Sequence, residues 1–170
     1  MTIAYCEINS PVGKLKLYSD GDSIIKLELP NYNTDETGIW LKRYFGEVRI
    51  GEKDALCLEA ERQISSYFKK ELNEFHLPVK LFGTVFQKKI WNALLGISYG
   101  DSVTYKQIAN ICSCGGGYRA VGNAIGKNPV LIIIPCHRVV GSNHKLVGFA
   151  GKLKLLDVKK YLLETENIVL

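Results

Sequence analysis

At 170 residues, 46% hydrophobic and 10% aromatic, the chain suits one large or two small packed domains and does not read as disordered. Residues 1–80 carry 11 Lys and Arg against 13 Asp and Glu, whereas residues 81–170 carry 11 against 4, so the second half attracts a polyanion, most commonly nucleic acid. No apolar run approaches the roughly 18 residues of a membrane span, and Met1 to Glu7 lacks the basic start and apolar core of a secretory signal.

In chain order, residues 3–8, 12–18 and 23–29 read as short strands, with Asp20-Gly21-Asp22 a turn between the last two and Pro30 a stop. Helices are predicted over 36–45 and 58–72, the second from Ile64, Tyr67, Phe68 and Leu72, followed by a strand-like Phe75-His76-Leu77. Residues 1–80 thus form an α/β N-terminal supporting domain, with His76 a surface histidine.

The pattern changes near Gly83 and opens a mainly α C-terminal domain over 81–170. Thr84 to Gln87 has capping-box spacing, and Phe86, Ile90, Trp91, Leu94 and Leu95 follow as an apolar stripe. Thr104 to Gln107 repeats the signature and opens a short helix with Ile108 and Ile111 inward, ending near Cys112. Gly115-Gly116-Gly117 is a turn, and Arg119 to Asn128 a second short helix. Two short helices about a glycine-bearing turn, in the basic half, resemble a helix-turn-helix. In the second, Val121 and Ile125 face inward while Gly122, Asn123 and Gly126 leave the surface nearly bare, although each helical glycine costs about 1 kcal/mol. Such a smooth helix suits shape-driven contact in a minor groove, with Arg119 as its one long probe. The last helix is predicted over Leu153 to Glu166, with Leu155, Val158 and Leu162 inward and Lys159, Lys160 and Glu164 facing water.

The chemistry concentrates in Val130-Leu131-Ile132-Ile133-Ile134-Pro135-Cys136-His137-Arg138-Val139-Val140. The aliphatic run reads as buried. Pro135 ends it, having no amide hydrogen for a ladder, and leaves Cys136 at a fixed bend. His137 or Arg138 could stabilise a thiolate, and Glu166 is the candidate carboxylate to orient His137, with Asp157 and Glu164 also near in sequence. That set permits a cysteine hydrolase; it equally permits a soft thiolate that attacks an alkyl carbon, forms a thioether and reacts once. The basic helix-turn-helix favours DNA as substrate. The five cysteines, odd in number and irregularly spaced, argue against a disulfide framework, suit a reducing cytosol and offer no zinc-ligand spacing, so no metal site is expected.

Pro135-Cys136-His137-Arg138-Val139, preceded by Arg119-Ala120-Val121-Gly122 and Asn128-Pro129, closely resembles the methylated-DNA–protein-cysteine methyltransferases, or O6-alkylguanine-DNA alkyltransferases. The resemblance runs from about Gly83 to Glu166. It implies a monomeric, cytoplasmic DNA repair protein that acts without a cofactor on double-stranded DNA containing O6-alkylguanine, with O4-methylthymine a further candidate. Cys136 would accept the alkyl group, His137 would act as base through a water, Glu166 would orient it, and Asn128 would brace the turn. Tyr105 would donate to the flipped guanine, the carbonyls of Cys136 and Val139 would hold its amine, Phe149 would stack on it and the Ala150 amide would meet O6. Arg119 would enter the base stack, with Ala120, Gly122, Asn123 and Thr104 also against DNA. The chain departs from the family pattern at Phe149, where a tyrosine is common, at Gly151-Lys152, at the triple-glycine turn, and in a short insertion before Glu166. Alkyltransferase-like sensors share the resemblance but lack the acceptor cysteine, which Cys136 supplies here.

Overall fold

Side-chain alternation decides which helix covers which face of the N-terminal sheet. The computed structural model describes residues 1–30, 34–148, 150 and 155–170, and the chain divides into Met1–Phe82 and Gly83–Leu170. In the first unit β1 (Thr2–Ser10), β2 (Gly13–Ser19) and β3 (Ile24–Glu28) form an antiparallel meander, and β4 (Arg49–Gly51) joins β1 in parallel, giving the order β3-β2-β1-β4. Register places Cys6, Leu17 and Leu27 on one face and Tyr5, Tyr18 and Lys26 on the other. Helix α2 (Ala55–Phe68) packs on the first face through Cys57, Ala60, Ile64 and Tyr67, with the Cys57 thiol against Cys6. Helix α1 (Thr34–Phe45) belongs to the other: Leu41, Trp40 and Phe45 cluster with Ile3, Tyr18 and Ile25. There the Lys26 ammonium sits 3.2 Å from Glu28 and 4.9 Å from the Trp40 ring centre, and the Thr37 hydroxyl donates to Glu28.

Asp54 caps α2, accepting the Cys57 amide at 2.7 Å and the Ser19 hydroxyl at 2.9 Å, so one carboxylate both starts the helix and ties it to β2. Phe75-His76-Leu77 is not a strand. The Gln63 side chain takes up the His76 backbone instead, accepting its amide at 2.8 Å and donating to its carbonyl at 3.1 Å. The strand-like pairing falls a few residues later, where the carbonyl of Pro78 and the amide of Lys80 bond Ile24.

The second unit contains α3 (Val85–Leu95), α4 (Tyr105–Ile111), α5 (Tyr118–Gly126), α6 (Leu156–Thr165) and two short parallel strands, β5 (Val103–Thr104) and β6 (Val139–Val140). Both expected capping boxes form, at Thr84 with Gln87 and at Thr104 with Gln107. Helix α5 packs on α3 and α4, and the buried Trp91 indole of α3 donates to the Ala124 carbonyl of α5 at 2.8 Å. Helix α4, its turn and α5 therefore pack in helix-turn-helix order.

Two inward faces are narrower than the periodicity suggests. On α3, Ile90, Trp91 and Leu94 are buried while Phe86 and Leu95 are exposed. On α4, Ile108 is buried but Ile111 is 65% exposed, because the inward line runs from Ile108 to Cys112, four residues on. The run Val130–Ile134 is buried throughout but curls rather than extends: Ile132 has φ +71°, Ile133 donates to the Leu131 carbonyl at 2.8 Å and Ile134 to the Val130 carbonyl at 3.0 Å. The predicted onset of α6 at Leu153 lies outside the described residues. Among those described, no helix is long and apolar enough to cross a membrane.

Candidate active site

Two local devices bring the reactive residues together. Val103 and Thr104 of β5 pair with Val139 and Val140 of β6, which sets Tyr105, the next residue of the chain, alongside the segment carrying Cys136. Pro135 then turns the chain into a single 3-10 turn, Cys136–Arg138, in which Cys136 donates its amide to Ile134 at 2.8 Å and Arg138 donates to Pro135 at 3.1 Å. Asn128 braces that bend, its side chain donating to the Ile134 carbonyl at 2.9 Å and accepting the Val130 amide at 3.0 Å. The Asn128 side chain also favours the ionised form of the Cys136 sulfur.

Cys136 is 2% exposed and borders a cavity of ≈ 90 Å³ lined by Tyr105, Gly122, Ile125, Gly126, Cys136, Gly148 and Ala150. Burial pushes its thiol up to about 11, against the pull of Asn128, the Lys159 charge and the local backbone amides. At neutral pH the sulfur therefore rests as a thiol, and ionising it costs on the order of 5 kcal/mol. Tyr105 is likewise held protonated, raised to about 12 by burial and then by the Cys136 charge. A methyl group at Gly122 would lie 3.8 Å from the Tyr105 ring, so the bare glycine leaves room for a methyl between α5 and this tyrosine.

Behind the sulfur lies a buried charged group. His137 Nε2 meets Glu166 Oε1 at 2.6 Å. Arg138 donates through Nε to Glu166 Oε2 at 2.8 Å, through a second nitrogen to Oε1 at 3.1 Å, and to the Ile97 carbonyl. Glu166, the residue closing α6, also accepts the Gly100 amide at 3.4 Å. Burial opposes its charge, yet His137 and Arg138 hold its carboxyl down to about 2. His137 is pushed below its usual range by burial, against the opposing pull of Glu166, so the imidazole rests neutral. Its Nδ1 is buried and has no hydrogen-bond partner among the described residues.

The acid limb of the stability profile follows. The unfolded chain takes up protons at Glu166 near pH 4.5 and at His137 near pH 6.5, while the folded chain takes up both only at lower pH. Both groups therefore contribute stability that is present above those values and lost as pH falls. We expect denaturation midpoints to decline from about pH 6.5 downward and to lose about 3 kcal/mol more between pH 4.5 and 2 through Glu166. A Glu166→Gln protein that lost as much stability as the parent across the lower window would contradict this assignment.

Lys159 completes the site. Read from sequence as facing water, it is fully buried: its ammonium donates to the carbonyls of Val139 at 2.5 Å, Val147 at 2.9 Å and Gly148 at 3.2 Å. Burial lowers it to about 8, against the pull of a Cys136 thiolate. The signal was present in the spacing, since Leu155, Lys159, Leu162 and Glu166 fall on one helical face.

Known proteins match both units. Residues 3–81 match the family described as 6-O-methylguanine DNA methyltransferase, ribonuclease-like domain, and residues 85–168 match the DNA binding domain of the same description. The chain belongs to the 6-O-methylguanine DNA methyltransferase family. A methylated-DNA–protein-cysteine methyltransferase of Haemophilus influenzae is 38% identical over 165 residues, covering 96% of this chain and 86% of its own. One from Mycobacterium leprae is 36% identical over 91% of this chain and 90% of its own. A crystal structure of Mycobacterium tuberculosis OGT in complex with DNA superposes with TM-score 0.80 at 35% identity, covering 98% of this chain and 92% of that one.

In this family member, Cys136, His137, Glu166, Asn128, Tyr105 and Ala150 gather as one site. The carbonyls of Cys136 and Val139 already accept the Val139 amide and the Lys159 ammonium respectively. Arg138 grips Glu166 rather than the sulfur. Among the described residues the His137 ring meets Glu166, the carboxylate the sequence favoured over Asp157 and Glu164. On α5, Arg119, Ala120 and Asn123 are exposed and Gly122 half-buried. The Thr104 hydroxyl is engaged in capping α4. Phe149 lies outside the described residues. Among those described, no cluster of three or more metal-ligating side chains occurs.

Proposed function

We propose that this chain repairs DNA by moving the alkyl group of an O6-alkylguanine irreversibly onto Cys136, one group per protein molecule. The observation that carries the reading is a buried thiol at a small cavity, backed by a neutral imidazole whose other nitrogen is held by a carboxylate. The thiol proton passes through a water to His137 Nδ1, and Glu166 stabilises the imidazolium that results. The sulfur attacks the alkyl carbon, the sulfur–carbon bond forms and the carbon–O6 bond breaks. Tyr105 supplies a proton to the departing guanine and recovers one from the imidazolium, so charge balances. The thioether has no leaving group that water could displace, which makes the protein single-use.

The substrate base leaves the duplex to reach this depth, at a cost of a few kcal/mol. Arg119 fills the gap in the stack, Ala120, Gly122 and Asn123 lie along the groove, and Thr104 adds a contact at the start of α4. The Ala150 amide meets O6, Phe149 stacks on the base, and the carbonyls of Cys136 and Val139 receive the exocyclic amine on their remaining lone pairs. O4-methylthymine presents the same alkyl–oxygen bond and is a second substrate. The protein acts as a monomer without a cofactor, in a reducing cytosol that keeps its thiols free; its five cysteines are all unpaired.

Incubating reduced protein with a duplex carrying O6-methylguanine should raise the intact mass by one methylene, mapped to the Cys136 peptide, with conversion stopping at one equivalent. An unchanged mass alongside continuing conversion would overturn the transfer and favour a hydrolase.

A further inference from the structure

Cys112 and Cys114 flank the turn between α4 and α5, and α4 ends in a Schellman arrangement: Cys114 donates to the Ala109 carbonyl at 2.8 Å and Ser113 to the Asn110 carbonyl at 2.9 Å. The middle residue, Ser113, has φ +51°, the left-handed bend usually given to glycine. Only the middle residue's dihedrals fix the separation of its neighbours' Cα atoms, and a helical bend of either hand sets it at about 5.4 Å. That lies within the disulfide range. The two side chains already interact, and the Cys114 sulfur also lies 3.5 Å from the Cys112 carbonyl.

We propose that Cys112 and Cys114 are an oxidisable dithiol that couples a thiol-disulfide change to the DNA-contacting helix α5. Cys114 is half-buried and Cys112 is 2% exposed, so Cys114 reacts first. Burial and the Cys114 charge push the Cys112 thiol up, which keeps it in reserve as the resolving group. The Cys114 thiolate attacks one sulfur of a small-molecule disulfide, forming a mixed disulfide and releasing one thiolate. Cys112 then loses its proton and attacks the Cys114 sulfur, releasing the second. Two electrons pass from the protein to the oxidant, which leaves as two thiols.

The mechanical link is short. The Cys112 sulfur donates to the Lys89 carbonyl of α3 at 3.9 Å, and the Cys114 carbonyl accepts the Gly117 amide at 3.0 Å. Gly117 is the N-cap of α5, which has no side-chain cap, so the start of the helix that carries Arg119 is held by backbone bonds from this turn. Closing the small ring draws Cys112 from its anchor on α3 and shifts the carbonyl that holds α5.

The proposal rests on DNA engagement by this unit, and the test separates the two. Full-length Cys136→Ser protein is equilibrated with oxidised glutathione, mapped by mass after non-reducing digestion, and titrated with an O6-methylguanine duplex. We expect a Cys112–Cys114 peptide lighter by two hydrogens and a duplex affinity at least about fivefold lower, restored by dithiothreitol and absent when Cys114→Ser is added. Thiols that stay unpaired, a disulfide that leaves affinity unchanged, or an equal loss in the Cys114→Ser protein each overturn the coupling. Reduced protein that binds no duplex would overturn the DNA reading itself, while the mass map still decides the dithiol.

Discussion

Replacing Glu166 with Gln should slow alkyl transfer to Cys136 by at least about a hundredfold, the lower end of what a positioned general base contributes, and lower stability by about 3 kcal/mol. The two effects have one source. Glu166 is 1% exposed and is the carboxylate held by both His137 and Arg138. A neutral amide of the same shape leaves the Arg138 guanidinium buried without a counter-charge, and leaves His137 without the group that stabilises its protonated form. Single-turnover kinetics on an O6-methylguanine duplex reads the first effect, and urea denaturation the second. An unchanged rate would remove His137 from the proton path, and an unchanged midpoint would mean that the arginine finds water or another partner.

Lys159→Met should come next in size. The ammonium gathers three carbonyls from two segments, Val139 on the reactive side and Val147 with Gly148 on the loop beyond it. Methionine keeps the length but donates nothing, and each buried carbonyl left unpaired costs about 1–3 kcal/mol. The Cys136 sulfur also loses the cation that favours its ionised form, a charge Lys159 carries at neutral pH. The rate of iodoacetamide labelling at Cys136 at pH 7 reads that electrostatic part, with urea denaturation reading the loss of stability. If the labelling rate did not fall, Lys159 would be a packing residue alone.

The legible parts of this chain were those with local causes. Both capping boxes could be read because a hydroxyl and an amide three residues apart satisfy each other whatever surrounds them. The alternation in β1 to β3 was visible for a similar reason. The short β4, three residues long, carries too little pattern to be seen, and the Gln63 contacts that replace a strand at His76 bridge 13 positions of sequence. At the site, Cys136, His137 and Glu166 stood out by chemistry and family resemblance. The roles of Arg138 and Lys159 did not, because hydrophobicity places a charged side chain outward and only tertiary partners reverse that. Lys159 lay on the apolar face by spacing, yet its residue type outweighed its position.

The curled run Val130–Ile134 has a consequence for the protein away from its native state. Five uncharged, mostly β-branched residues in a row match the composition that stacks between chains in cross-β assemblies. In the folded protein their backbone bonds close on themselves, from Ile133 to Leu131 and from Ile134 to Val130, so no edge is offered to a neighbour. Once the chain opens, the protection that remains local to the run is Pro129 on one side and Pro135 on the other, the gatekeepers that interrupt strand growth. The curl that leads into the reactive turn thus also keeps a strand-prone run from templating aggregation.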